Sequence, residues 1–461
     1  MNSSPAAQAP SARRSPSPLA LFGGPPAVTA TNPELFKWPI VTREDEEATL
    51  DVLRRGKMSG TDITIEFEKE FSAWLGTKYA LGHSSGTAAL QAAMFGVGLG
   101  RGDELICPAL TYWASCLQVF SLGATVVFAD IDPKSWCLDP ADIERRITPR
   151  TKAIVAVHYL GHPCEMEPIM AIARRRGLKV IEDVSHAQGG HYRGVKLGTI
   201  GDVAGISLMT GKSFATGEGG ILTTSDRGIY ERALAFGHYE RFGDPGALAS
   251  ADLKPMVGLP LGGYKYRMHQ MSSAMGRVQL KHYDARILEI RKASDYFWSL
   301  LEGVPGLRRH QPPHPGSDMA GLYATRAHYA REEVGGLSLA RLVEALRAEG
   351  FTDCHPGLNR PLHLHPLFNT ADVYGDGRPT RSAFSDRDLR QGSAELPAAS
   401  AANLKAVTVP WFRKFRPEEI AQYAEAFRKV LTHWELLRKD DPGDPVDPAE
   451  AGTLGLSQRP R

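Results

Sequence analysis

Residues 82–90 read Gly-His-Ser-Ser-Gly-Thr-Ala-Ala-Leu, "GHSSGTAAL", and two different folds claim them. Gly82 to Gly86 satisfies G-x-S-x-G, the nucleophile elbow of an α/β-hydrolase, with Ser84 as the attacking group. That reading requires a strongly apolar strand before the elbow, then an acid and a histidine later in the chain. "TKYALGHSSG" offers only a weak strand, and Asp318 and His328 are drawn from a chain that holds 15 histidines. Shifted by two residues, the same stretch is a Ser-Gly-Thr turn opening an alanine-rich helix. Gly86 then lets backbone approach an anion closely, and Thr87 offers both a hydroxyl and an N–H. The run from Ala88 to Ala93 propagates a helix whose N-terminal dipole favours negative charge, such as a phosphate. Small residues at a helix start are common, so the neighbouring sequence has to decide.

Outward from this stretch, short apolar runs alternate with helical ones. "GDELICPAL" leads into a helix expected around "YWASCLQVFSLG", and "ATVVFADID" and "TKAIVAVHYLG" read as strands. "MEPIMAIARRRG" is a helix closed by Gly177, and "LKVIEDVSHAQGG" is the next strand with its loop. Units of this length predict an α/β fold with a mostly parallel sheet covered on both faces. Ligands collect at the carboxyl ends of such strands, where Asp183, His186, Ser207 and Lys212 fall. From about residue 290 the pattern changes. "LSLARLVEALRAEGF" and "PEEIAQYAEAFRKVLTHWELL" are amphipathic helices separated by His- and Pro-rich segments, as in a smaller mixed domain.

The chain of 461 residues is 42% hydrophobic, long enough for two or three domains. Its 54 basic and 52 acidic side chains give a net charge of +2, which supplies no argument for nucleic acid or an anionic membrane as partner. No apolar run is long enough to span a bilayer. The five cysteines, Cys107, Cys116, Cys137, Cys164 and Cys354, lack C-x-x-C spacing. They suit small buried hydrophobes in a reducing cytoplasm better than a disulfide framework or a zinc site.

Lys212 is the most specific chemical signal, lying in "ISLMTGKSFATGEGGILTTSD" between an apolar run and the glycine-rich turn Gly217 to Gly220. A partly buried lysine beside such a turn is a candidate for Schiff-base chemistry, and Ser207 can add a phosphate ligand. A buried Asp183 at a strand end calls for a positive ligand group, such as a protonated pyridine nitrogen. Tyr112 and Trp113 in "CPALTYWASC" are core residues or a platform for a planar ring. Three other motifs fail their context. Gly161 and Pro163 break the helix that would align His158 with His162, and no further ligand accompanies His363 and His365. "GVGLG" ends a helix instead of following a strand.

Taken together, "SSGTAAL", "HYLGHPCEMEPI", "VIEDVSHAQG", "SLMTGKSFATGEGGIL" and "GYKYRMHQMSSAMGRVQL" resemble, in order, blocks of the DegT/DnrJ/EryC1/StrS aminotransferases. The likeness runs from "LALFGGPPAV" to "QYAEAFRKVL". It implies the aspartate-aminotransferase type of fold (fold type I), with a large domain around a mostly parallel sheet and a smaller C-terminal α+β domain. By composition, the Ser-, Pro- and Ala-rich residues 1–33 and the segment 441–461 are expected to be loose tails; between them 34–60 is expected to be an N-terminal arm, 61–290 the large domain and 291–440 the small domain. The implied cofactor is pyridoxal 5'-phosphate, and the implied assembly is a homodimer with active sites at the subunit interface. By resemblance, Lys212 carries the cofactor in an imine link and Asp183 pairs with the pyridine nitrogen. Gly86, Thr87 and Ser207 hold the phosphate, Tyr112 stacks on the ring, and His186 stands near the ring oxygen. Lys265 replaces an asparagine that reaches the neighbouring subunit's phosphate. Lys212 disfavours the branch of the family in which histidine replaces lysine and dehydration is the outcome. The implied reaction moves an amino group from L-glutamate or L-glutamine to a keto-sugar or keto-cyclitol. "LALFGGPPAV" before "FKWP", with Glu218 in "GEGG", favours an inosose-like acceptor over a nucleotide-linked 4-keto-sugar. Acceptor contacts are expected from Tyr239 to Arg241 and from "LNRPLHLHPLF", residues 358–368. A serine hydrolase using Ser84 and a non-catalytic regulator on the same fold are the alternatives from other classes.

Overall fold

The computed structural model describes residues 17–29, 32–243, 246 and 248–445. The remainder of the two predicted tails, 1–16 and 446–461, lies outside the described residues.

The central sheet is built from β1 (Tyr79–His83), β2 (Glu104–Pro108), β3 (Thr125–Ala129), β4 (Thr151–Val157) and β5 (Lys179–Asp183). After a short ribbon, β6 (His191–Tyr192) and β7 (Val195–Lys196), it is completed by β8 (Val203–Ser207) and β9 (Gly220–Thr224). Strand order is β1-β9-β8-β5-β4-β2-β3, and β9 alone runs against its neighbours. The strands are buried along nearly their whole length, which explains their continuous rather than alternating apolar runs. Helix α1 (Arg43–Arg54) opens on a Thr42–Asp45 capping box. Helices α2 (Asp62–Leu75), α3 (Gly86–Gly96), α4 (Pro140–Arg146), α5 (Met166–Arg176) and α6 (Arg227–Gly237) complete the large domain. Gly177 closes α5 in the left-handed region, as its sequence predicts, with Arg174 to Arg176 in the final turn. Helix α3 is buried on nearly every side and needs its small residues. A Cβ on Gly205 of β8 would lie 2.7 Å from two atoms of Leu90.

Helix α7 (Gln270–Ser299) is a single 30-residue rod that leads from the large domain into the small one. There β10 (Leu307–Arg309), β11 (Arg326–Tyr329) and β12 (Ala406–Thr408) form an antiparallel sheet. It packs with α8 (Leu339–Ala348) around a second core.

Four expectations need correction. The boundary at 290/291 falls inside α7, because one uninterrupted helix serves both cores. Residues 358–403 leave the small domain and return to the large one. They carry α9 (Pro366–Asn369), α10 (Thr380–Ala383) and α11 (Pro397–Ala401), with Leu362, Phe368, Leu389 and Leu396 in the large-domain core. Arg381 donates to the Val126 carbonyl, Gln391 to that of Phe128, and Asp130 accepts from the Ala398 and Ala399 N–H groups. The excursion thereby covers the free edge of β3. Neither tail is loose where it is described. Leu19 and Val28 are buried in the small-domain core beside α12 (Pro417–Thr432), and buried Glu349 accepts from the Ala20 and Ala27 N–H groups. At the other end, Asp441 accepts from Ser338 at the start of α8, and Asp444 pairs with Arg331 at 3.2 Å. Finally, "YWASCLQVFSLG" forms two 3-10 turns, Trp113–Ser115 and Leu117–Leu122, instead of an α-helix. Cys116, with φ −148°, interrupts the run.

Candidate active site

The carboxyl ends of β5 and β8, the start of α3 and the turn after β8 enclose a cavity of about 490 Å³. Asp183, the last residue of β5, is 5% exposed. Its Oδ2 accepts from Ser115 Oγ at 2.7 Å and its Oδ1 from the Ser185 N–H at 3.0 Å, while Thr111 braces Ser115 at 2.9 Å. Among the described residues no cationic side chain pairs with it. A buried carboxylate with two neutral donors is one that a positively charged group stabilises.

Helix α3 points its first turn into the same cavity. Ser85 caps it by accepting from the Ala88 N–H at 3.1 Å, and Gly86 and Thr87 follow with the leading N–H groups that have no acceptor within the helix. Gly86 is required by contact, since a Cβ there would sit 2.6 Å from Ser207 Cβ. The Ser207 N–H is fixed by Ser185 Oγ at 3.0 Å, which sets its hydroxyl beside the helix start. This cradle suits a phosphate.

Lys212 sits in a turn held by Thr210 N–H to the Gly217 carbonyl and Leu208 N–H to that of Gly219, with Gly217 at φ +93°. Its own N–H bonds the Met209 carbonyl, and Trp38 from the N-terminal arm donates to the Lys212 carbonyl at 2.7 Å. Lys212 is 8% exposed, and its ammonium lies 4.3 Å from the centre of the Tyr323 ring. Among the described residues no carboxylate pairs with it.

His186 Nδ1 accepts from the Leu160 N–H at 3.2 Å, which assigns the proton of the neutral ring to Nε2. Burial, reinforced by the charge of Lys212, holds its pKa well below the ordinary histidine range. Tyr112 lies at the cavity rim, 37% exposed, with its ring 4.8 Å from that of Trp113.

The structure thus brings Gly86, Thr87, Tyr112, Asp183, His186, Ser207 and Lys212 to one cavity. Lys265 does not line it; half exposed, it pairs with Glu240 at 3.4 Å. Tyr239 to Arg241 also lies elsewhere, because Arg241 forms a two-pronged bond to buried Glu68. Of "LNRPLHLHPLF" only Asn359 reaches the wall, where its Oδ1 accepts from Tyr159 at 2.5 Å; buried His363 instead bonds Ser400. Ser84 is exposed outside the wall, and among the described residues no acid or histidine hydrogen-bonds its hydroxyl. Ser115, Ser185 and Tyr323 have no sequence signal of their own, since each acts through a partner far along the chain.

A planar ring with an anionic arm and a protonated nitrogen, the outline of pyridoxal phosphate, fits this donor set. The cradle suits such an arm and Asp183 such a cation, and Lys212 lines the same cavity. No group of three or more metal-ligating side chains exists among the described residues, and none of their helices is long and apolar enough to cross a membrane.

The model of the DegT/DnrJ/EryC1/StrS aminotransferase family matches residues 39–390. The GDP-perosamine synthase of Caulobacter vibrioides is 42% identical over 72% of this chain and 88% of its own length. The L-glutamine:2-deoxy-scyllo-inosose aminotransferase of Streptoalloteichus tenebrarius is 32% identical over 91% and 99%. Among solved structures, DesI in the presence of its TDP-sugar product superposes with a TM-score of 0.74 at 26% identity, covering 92% of this chain and 98% of that one.

Proposed function

This chain belongs to the DegT/DnrJ/EryC1/StrS aminotransferase family and is a pyridoxal-phosphate-dependent aminotransferase, and we propose from that premise that it aminates the ketone of a cyclitol, with L-glutamate or L-glutamine as donor. The observation that carries the reading is the convergence of Lys212, Asp183 and the α3 cradle on one cavity. When bound, the cofactor supplies the electron sink for bond cleavage at the amino-bearing carbon. In this reading Asp183 keeps a proton on the ring nitrogen, and Gly86, Thr87 and Ser207 hold the phosphate. Tyr112 would offer its ring for stacking, and His186 would offer its Nε2–H as a donor to the ring oxygen. The Lys212 amine carries a proton from the donor's carbon and returns one to the acceptor's carbon. Lys265 does not line its own cavity, and in a homodimer it would serve the phosphate of a second copy.

Two features support an uncharged ring as acceptor. Among the described residues Lys212 is the sole cationic side chain lining the cavity, so no diphosphate clamp accompanies it. The inosose aminotransferase relative also matches nearly the whole chain. The higher identity to a GDP-perosamine synthase favours the second reading, a nucleotide-linked 4-keto-sugar. Purified protein loaded with pyridoxal phosphate should show a visible band that bleaches with L-glutamine or L-glutamate. 2-Deoxy-scyllo-inosose should then restore it. Restoration only by a nucleotide-linked 4-keto-sugar moves the acceptor to the second reading, and failure of either amino acid to bleach the band overturns the proposal.

A further inference from the structure

Glu218, in the turn that follows Lys212, lines the same cavity, and the roles above leave it unused. Among the described residues the wall carries two other charged side chains, Asp183 and Lys212, and both are buried. Glu218 is exposed, and no hydrogen bond or ion pair among the described residues engages its carboxylate.

The turn fixes the point from which this side chain projects. On one side the Gly217 carbonyl accepts from the Thr210 N–H at 2.8 Å and from Thr210 Oγ1 at 3.0 Å. On the other, the Gly219 carbonyl accepts from the Leu208 N–H at 2.9 Å. The glycines that follow are required by contact. A Cβ on Gly219 would lie 2.8 Å from Met268 Cε, and one on Gly220 would lie 2.2 Å from the Ser85 carbonyl oxygen. The backbone around Glu218 is thereby clamped against Met268 and the start of α3, so the carboxylate keeps to the cavity mouth.

With Asp183 and the cradle committed to the cofactor and Lys212 to proton transfer, Glu218 is the charged group of the wall left for substrate. An ionised carboxylate offers two acceptor oxygens and no donor. Two neighbouring hydroxyls on a ring present two O–H donors side by side, which such a fork accepts together in charge-assisted bonds. Val157, Leu160 and Met209 give the same wall apolar surface for the C–H faces of that ring. The charge of Glu218 also repels an acceptor that carries a diphosphate.

We propose that Glu218 recognises the acceptor, taking two adjacent hydroxyls of a polyhydroxylated ring ketone whose carbonyl carbon lies at Lys212. This rests on the cyclitol reading and adds the hydroxyl pattern that the site selects.

The test uses full-length protein and Glu218→Gln and Glu218→Asp variants. myo-Inositol, which has the ring hydroxyls but no ketone, is titrated calorimetrically into protein loaded with pyridoxamine phosphate. Its affinity should fall at least ~10-fold in Glu218→Gln, the scale of lost hydrogen bonds to a charged group, and less in Glu218→Asp. Half-saturation by 2-deoxy-scyllo-inosose should rise in parallel, whereas cyclohexanone, which has no hydroxyl to lose, should react alike in all three proteins. The donor half-reaction should stay within a few-fold, and Glu218→Gln should use a nucleotide-linked 4-keto-sugar better than the wild type does. Equal myo-inositol affinity in wild type and Glu218→Gln overturns the proposal, as does a loss shared by cyclohexanone or by the donor half-reaction. Weakened subunit association with unchanged myo-inositol binding gives Glu218 to a second copy and overturns it too. If Glu218→Gln does not fold, Glu218→Asp decides by the same comparisons. Wild-type protein that binds no myo-inositol and accepts only a nucleotide-linked 4-keto-sugar sinks the cyclitol reading itself, and this proposal with it.

Discussion

Lys212, Asp183 and Gly86 each invite a substitution with a different signature. Lys212→Ala should lower single-turnover transamination by at least ~10²-fold, the scale of a lost positioned base, and abolish the visible band. Asp183→Asn should keep the cofactor bound while slowing the donor half-reaction to a similar degree, since a neutral amide cannot hold the ring nitrogen's proton. Bound cofactor measured beside turnover separates the two variants. Gly86→Ala forces a methyl to 2.6 Å from Ser207 Cβ, an overpacking that costs about 1–3 kcal/mol. It should lower the melting temperature and shrink the further rise on adding pyridoxal phosphate; an unchanged rise would remove Gly86 from the cradle. These residues were legible because glycine turns and strand ends mark them locally. Tyr323, Ser115 and Ser185 were not, since nothing local sets them apart from core or loop residues. Tyr323 reaches Lys212 from 111 positions away in the chain.

At the scale of elements, alternating apolar and helical runs announced the parallel sheet, because strands buried on both faces leave continuous hydrophobic stretches. The excursion of residues 358–403 was not legible. Its His- and Pro-rich composition suggests a loop, yet it closes an edge that would otherwise present unpaired backbone. Arg381 is its anchor: fully buried, bonded to the Val126 carbonyl and 4.5 Å from the centre of the Phe128 ring. Arg381→Ala should destabilise the protein by about 2–4 kcal/mol through lost packing and hydrogen bonds. Light scattering on heating should begin at lower temperature as β3 becomes free to pair. Scattering unchanged from wild type would mean that the rest of the excursion protects the edge without this anchor.

Across the whole molecule, six imidazoles are held uncharged by full or partial burial. Burial pushes His83, His328 and His363 down to about 4, and His186, His238 and His310 well below the ordinary range. The unfolded chain takes up protons at these rings near pH 6.5, whereas in the folded chain His83, His328 and His363 resist until about 4 and the other three until well below the ordinary range. Their stability contribution is therefore complete above pH 6.5 and is lost as pH falls from there toward 4. Each ring accounts for about 1.4 kcal/mol per unit. The melting temperature should fall steeply between pH 7 and 5, and a flat profile would contradict neutral burial. The limits of the folded unit were the least legible feature at this scale. A composition rich in Ser, Pro and Ala suggested a loose tail to residue 33, but Leu19 and Val28 supply apolar contacts that composition averages away. Those contacts have a practical side. Whoever shortens this polypeptide, by protease or by a relocated start, should not cut as late as Asn32. Such a cut strips buried Glu349 of two donors and opens the small-domain core to water, with no catalytic residue touched.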